Sequence, residues 1–245
     1  MVTNNKNYRM RIAKRIAASG FCSRRQAEKY IKLEKVSVNN QLITSLGIQV
    51  KKNDKIFVEG TLIKNIPNTK LYMFNKPKGC IVSEHDPQNR KTIYDLLNKN
   101  KERLLYIGRL DFNSEGLLLL TNNGKLKRYF ELPKNKIQRT YKVKVYGDIK
   151  KINKKQLKEG ITINRINYGS VIVNTLKNNL KNSWLEIKIN EGKNREIRKI
   201  LNYFGLKVND LIRISFGPYN LEKLEKAQIK ELKIKPTILK KINFD

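Results

Sequence analysis

Apolar residues recur along the first sixty positions at helical spacing and then at strand spacing. Ile12, Ala13, Ile16 and Ala17 mark one face of a helix that Gly20 ends. Ser23, with Gln26 three positions on, opens a second helix as a capping box, and Ala27, Tyr30 and Ile31 give it an apolar face. Val36 and Val38 alternate as a strand, Asn39-Asn40 turns the chain, Leu42 and Ile43 return, and Ile56-Phe57-Val58 reads as a last strand. Leu71 to Phe74 then predicts a strand, Lys76 to Gly79 a turn, and Cys80 to Ser83 the next strand. Thr92 with Asp95 predicts the cap of a short helix through Leu96 and Leu97. Leu117 to Leu120 reads as a buried strand followed by a turn at Asn122-Asn123-Gly124. Val143 and Val145 alternate with lysines, and Leu185, Ile187 and Ile189 with Glu186 and Lys188, as half-buried strands. After a turn at Glu191-Gly192, Asn194 is expected to cap a helix with the stripe Ile197, Ile200, Leu201 and Phe204, ended by Gly205.

These elements predict an α+β chain in two domains. A small helical and β unit covers 8–60, and 61–70, with Pro67 and Asn68 and no clear period, is a linker. A larger mixed, mainly antiparallel β-sheet domain with flanking helices covers 71–235, and 236–245 is a basic tail. The two units are unlike each other, and no repeat is evident.

Charge narrows the partner. The 53 Lys and Arg against 21 Asp and Glu give a net charge of +32 on 245 residues, which points to a polyanion and above all to nucleic acid. Arg11, Lys14, Arg15, Arg24, Arg25, Lys29 and Lys32 are expected on the outside of the first two helices, as one patch suited to a phosphate backbone. Cys22 and Cys80 lack metal-type spacing and suit a reducing compartment. A single histidine, His85 in a polar loop, leaves no two-histidine metal motif and no recognisable nucleophile device. No apolar run is long enough to span a membrane. The basic, acid-poor N-terminus is read as part of the first unit and not as a transit peptide.

The stretch GRLDFNSEGLLLLTNNGKL, Gly108 to Leu126, sets Asp111 beside Arg109 ahead of the buried strand. An isolated Asp of this kind is more often a loop residue paired with a lysine. The whole string, however, resembles the RsuA/RluB type of ribosomal RNA pseudouridine synthases, and so do K-P-x-G at Lys76 to Gly79, the strand YKVKVYG, the segment EGKNREIRKIL and LIRISFGPY. The first unit, RIAKRIAASGFCSRRQAEKYIKLEKVSVNNQLI, is similar to the S-four-type RNA-binding module, also called alpha-L, which many RNA-binding proteins share.

The resemblance implies an isomerase that turns a specific uridine of ribosomal RNA, more in the manner of the large-subunit enzymes, into pseudouridine. It implies no cofactor and no metal, because the change is redox-neutral and hydrolyses nothing. Asp111 would drive cleavage of the glycosidic bond, by attacking the sugar or by removing its 2′ proton. Tyr141 would sandwich the base, Arg198 would form a buried pair with Asp111, and Arg109 would fill the space the base leaves. Arg195, Lys76 and Lys78 would meet RNA, although Lys76 to Gly79 is equally a plain tight turn. Leu211 or Ile212 would wall the uracil pocket. The expected partner is ribosomal RNA or a partly assembled subunit, met by a monomer in a bacterial-type cytoplasm, with an organelle left open. A non-catalytic RNA-binding or ribosome-assembly protein is the alternative, and the joint presence of Asp111, Tyr141 and Arg198 speaks against it.

Overall fold

The computed structural model describes residues 9–97, 102–179 and 181–242. In the first unit, β1 (Arg9–Arg11) leads into α1 (Ile12–Ala18) and α2 (Arg24–Lys32). Strands β2 (Val36–Val38), β3 (Gln41–Leu42), β4 (Gln49–Lys51), β5 (Ile56–Val58) and β6 (Thr61–Leu62) follow. The Ser23 hydroxyl accepts from the Gln26 N–H at 3.1 Å, so α2 starts at its expected cap. Ile12, Ile16, Ala27, Ile31, Val36 and Ile56 close one core between the helices and the ribbon. Because β6 pairs with β5, the ribbon extends two residues into the stretch expected to be linker.

The second unit comprises β7 (Leu71–Lys76), β8 (Leu105–Ile107), β9 (Glu115–Thr121), α3 (Gly124–Glu131), β10 (Arg139–Tyr146), α4 (Lys154–Glu159), β11 (Ile161–Ile163) and β12 (Ile166–Tyr168). It continues with β13 (Val171–Lys177), β14 (Asn182–Ile189), α5 (Glu196–Tyr203), β15 (Lys207–Phe216), β16 (Tyr219–Asn220), β17 (Ile229–Leu232) and α6 (Pro236–Leu239). Nine of these strands form one sheet whose main path runs β13-β14-β10-β15-β9-β7-β17. The fold class is α+β as expected, and the sheet is antiparallel but for the pair β9 and β15.

Strand β9 explains the four consecutive leucines. Leu118 and Leu120 join one core cluster and Leu117 and Leu119 another, so both faces of the strand are covered and alternation disappears. One edge of β9 pairs with β7 along most of its length. The other edge is shared: Glu115 and Gly116 pair with β15, whereas Leu119 to Thr121 pair with β8. The sheet therefore forks beside Leu117. The loop Gly108–Ser114 leaves β8 and re-enters β9 at that fork, which sets Asp111 at its mouth. Arg213 fills the gap itself: its Nε donates to the Leu117 carbonyl at 2.7 Å, where neither strand supplies a partner.

Several local expectations change. Cys80 to Ser83 is not a strand; only an isolated bridge joins Ile81 and Thr92. Thr92 and Asp95 do bond reciprocally, yet the segment to Leu97 makes turns without a helix. Asn123 caps α3, accepting from the N–H groups of Lys125 and Leu126, so the expected turn is a helix start. The segment from 236, expected to be a tail, forms α6, and Ile238 and Ile242 pack into the cluster that holds Leu71, Met73 and Leu119.

Gly116 seals the fork. Its φ is +101°, and a Cβ there would lie 2.4 Å from the Arg213 carbonyl oxygen and 2.9 Å from the Arg213 nitrogen. Gly116→Ala should destabilise the protein by about 3 kcal/mol or more, through strain and overpacking against backbone. Urea denaturation of the full chain measures this, and a change under about 0.5 kcal/mol would refute the close approach.

Candidate active site

The Asp111 loop is built from below. Lys76, the last residue of β7, is 0% exposed. Its ammonium donates to the carbonyls of Pro77, Asp111 and Ser114 at 3.0, 3.1 and 2.8 Å. Three donors meet three acceptors, which offsets the cost of burying the charge, while desolvation holds the lysine pKa down. Lys76 therefore cannot hold phosphate, as the K-P-x-G resemblance implied; it ties both ends of the Asp111 turn to β7. Lys78 remains exposed and forms an ion pair with Asp210.

The Asp111 carboxylate is 33% exposed and borders a cleft of about 830 Å³. Arg195 Nη1 lies 3.6 Å and Arg198 Nε 3.9 Å from its Oδ2. Arg198 is fixed by donating from Nη1 to the Val208 carbonyl at 3.2 Å and from Nη2 to the Asn113 carbonyl at 3.1 Å. The expected pair of Asp111 and Arg198 is thus present, but it is not buried: the carboxylate opens onto the cleft. Arg195, expected to face RNA, is the nearer of the two cations. It stands just before α5 with φ +51°, and Asn194 does not cap that helix. Glu196 instead reaches back to accept from the Lys193 N–H at 2.9 Å.

Arg109 is exposed on the cleft wall, and His85 and Arg90 stand on the opposite loop, with Arg90 clasping Asp86 through two bonds of 2.8 Å. Tyr141 is 7% exposed, lies opposite Arg213 on β15 and does not line the cleft. Leu211 is packed in the core, and neither it nor Ile212 lines the cleft. In the first unit Arg11, Lys14, Arg24 and Arg25 are exposed. Arg15 is not: it is buried and donates to the Lys64 carbonyl, because its place in α1 faces the ribbon.

Residues 70–203 match the model of the RNA pseudouridylate synthase family, and residues 10–56 match the S4 domain. The chain belongs to the RNA pseudouridylate synthase family. It is 45% identical to an uncharacterized RNA pseudouridine synthase of Rickettsia conorii, over 91% of this chain and 96% of the relative. It is 34% identical to the ribosomal large subunit pseudouridine synthase B of Bacillus subtilis, over 91% of each. A crystal structure of a pseudouridylate synthase superposes with a TM-score of 0.65 at 27% identity, covering 91% of this chain and 96% of that one. This pseudouridylate synthase is therefore an isomerase acting on RNA, with an RNA-binding S4 domain ahead of its catalytic sheet. Among the described residues no cluster of His, Cys, Asp and Glu suits a metal ion, and no helix is long and apolar enough to cross a membrane.

Sequence reasoning passed over three groups at the synthase's site: Arg139, Arg213 and Glu196. Arg139 stands two residues before Tyr141 on one strand face, and Arg213 occupies a position where strand alternation demands an apolar side chain; both were visible signals. Glu196 is 3% exposed, and its Oε1 has no hydrogen-bond partner among the described residues. Burial, and to a lesser degree the Glu191 carboxylate, pushes its pKa up to about 7. In the unfolded chain this carboxyl ionises near 4.5, so folded-state stability falls as pH rises from there to about 7 and is level above. Glu196→Gln mimics the protonated form. It should raise stability at pH 8 by up to about 3 kcal/mol and change little at pH 4. Thermal melts at both pH values check this, and an equal effect at the two would rule it out.

Proposed function

We propose that this synthase isomerises a uridine of large-subunit ribosomal RNA, with Asp111 as its catalytic residue. The observation that carries the assignment is the Asp111 carboxylate, open to the cleft and flanked by Arg195 and Arg198 at 3.6 and 3.9 Å. The choice of RNA is supported by the Bacillus subtilis relative, whose name assigns it to the ribosomal large subunit.

In this reading the target nucleotide is drawn out of its helix into the cleft, at a cost of a few kcal/mol. Arg109, exposed beside Asp111, occupies the space the base leaves. Asp111 either bonds to the sugar carbon or takes its 2′ proton as the C–N bond breaks; the uracil turns, its C5 joins the sugar, and the C5 proton departs. Arg198 positions Asp111, and Arg195 adds charge at the same oxygen. Tyr141 offers the base little more than an edge, so its stacking role requires the cleft to open as RNA enters. Arg11, Lys14, Arg24 and Arg25 in the S4 domain hold the phosphate backbone, and Lys78 does so once released from Asp210. We place the boundary between the two domains in residues 63–70. We take the protein to act as a monomer in a reducing cytoplasm, a compartment that two free cysteines and bacterial relatives suit.

Transcripts of both ribosomal RNAs carrying tritium at uracil C5, offered free and within partly assembled subunits, test this. Tritium should leave the large-subunit RNA, and Asp111→Asn should cut the single-turnover rate by roughly 10³-fold or more with RNA affinity within a few-fold. Release from the small-subunit RNA alone would overturn the substrate, and substantial activity in Asp111→Asn would overturn the catalytic assignment.

The S4 domain yields a separate expectation. Changing Arg24 and Arg25 together to Gln should weaken RNA binding and lower the slope of log affinity against log salt by about 0.7–0.9 per lost phosphate contact. Filter binding across a salt series measures it, and an unchanged slope would move the RNA face elsewhere.

A further inference from the structure

Two guanidinium groups lie behind the Asp111 loop with no carboxylate within ion-pair distance among the described residues. Arg139, 9% exposed, borders the cleft, and its Cζ sits 4.7 Å from the centre of the Phe216 ring. Arg213, 1% exposed, stacks on the same ring at 4.8 Å, and its Nη2 is buried without a hydrogen-bond partner among the described residues. Among the described residues Arg139 donates one bond, from Nη1 to the Ile137 carbonyl at 3.3 Å. The nearby acids are engaged elsewhere: Glu131 accepts from Lys127 at 2.6 Å and from the Gly108 N–H at 2.8 Å, and Glu196 accepts from the Lys193 N–H.

Both guanidiniums touch the segments that carry the site. A Cβ on Gly108, three residues before Asp111, would lie 3.9 Å from Arg213 Nη1. A Cβ on Gly192, three before Arg195, would lie 3.7 Å from Arg139 Cζ and Nε. Arg213 has a structural task at the sheet fork. Arg139 has none of that kind, and beyond its bond to Ile137 its N–H groups meet no acceptor among the described residues. Burying a cation without a counter-ion is costly. Such a group is well placed to meet negative charge that appears only during a reaction.

We infer that Arg139 holds the uracil in its detached state, donating to a carbonyl oxygen of the base, with Arg213 behind it. The inference rests on the isomerase reading of the same cleft. When the C–N bond breaks, its electron pair goes to the base, which becomes an anion delocalised over N1 and its carbonyl oxygens. The sugar is meanwhile capped at C1′ by the Asp111 carboxylate or loses the proton on C2′ to it. A fixed guanidinium at the base oxygens lowers the barrier to that separation and keeps the base from leaving. It need not be released when the base turns, because a uracil anion carries charge at both carbonyl oxygens. C5 then bonds to the sugar, Asp111 is freed or returns its proton, C5 loses its hydrogen, and N1 regains a proton.

The test uses the full chain with ribosomal RNA transcribed either with uridine or with 5-fluorouridine, whose base is the more acidic leaving group. Single-turnover loss of the starting N-glycoside, a readout that does not need the final departure of the C5 hydrogen that fluorine replaces, is followed by nucleoside mass spectrometry, alongside RNA affinity and its salt slope. Arg139→Gln should slow the uridine reaction by about 10²-fold, with RNA affinity within about three-fold and the slope unchanged. The slowing should be several-fold smaller on 5-fluorouridine, because a better leaving group needs less help. Arg139→Lys, which keeps the charge, should retain an intermediate rate. A slope lowered by about 0.7–0.9 would make Arg139 a phosphate contact and overturn the inference. Equal slowing on both nucleotides, or no slowing, would overturn it too. A wild-type protein inactive on both RNAs would overturn the isomerase reading of this cleft first and this inference with it.

Discussion

The buried ammonium of Lys76 is the interaction on which the site depends. It sits where a β-strand ends and a turn begins, out of reach of water, and each of its protons is taken by a backbone carbonyl. Two of those carbonyls belong to Asp111 and Ser114, the ends of the turn that presents the carboxylate. A neutral side chain here would leave three carbonyls without donors in the interior, and a charged one without the carbonyls could not be buried. The lysine and the turn thus require each other, and the direction in which the Asp111 side chain points follows from that bond set.

Around this point the protein uses positive charge in three physical states. Lys76 is sealed and satisfied by carbonyls. Arg195 and Arg198 are opposed to a carboxylate that water can reach. Arg139 and Arg213 rest on an aromatic ring with donors to spare. The rest of the excess, part of it on the S4 helices and more of it on the second unit, acts at longer range on a polyanion. A net charge of +32 summarises all of these without distinguishing them.

What the sequence made legible follows the same division. Periodicity located α1, α2, β9, β14 and α5, because each buries a regular face or run. The long ordered string around Asp111 located the loop and its family. Periodicity was less informative where an element ends. Asn122-Asn123-Gly124 has the composition of a turn and the geometry of a helix cap, and only the following Leu126 and Phe130, buried on one face of α3, decide between them. The fate of an individual cation was the least legible. Arg15 and Lys14 are neighbours on one helix, yet one packs inward and the other outward; Lys76 and Lys78 differ in the same way. Which cations are internal depends on carbonyls brought from distant segments, as with Lys64 for Arg15 and Leu117 for Arg213, and no local pattern encodes those.

The fork in the sheet also imposes an order on assembly. Arg213 and the Leu117 carbonyl it satisfies are 96 residues apart in the chain, and β9 meets β15 in parallel fashion only at Glu115 and Gly116. Closing so long a loop for two residue pairs is entropically slow, so the antiparallel hairpins on either side form sooner. A growing polypeptide that has exposed β7, β8 and β9 holds the Asp111 turn on its lysine but has nothing on its other flank. Both Arg198 and Arg213 must still be synthesised. The cleft around Asp111 is therefore completed only by segments that follow β14, after the S4 domain has long been free to fold.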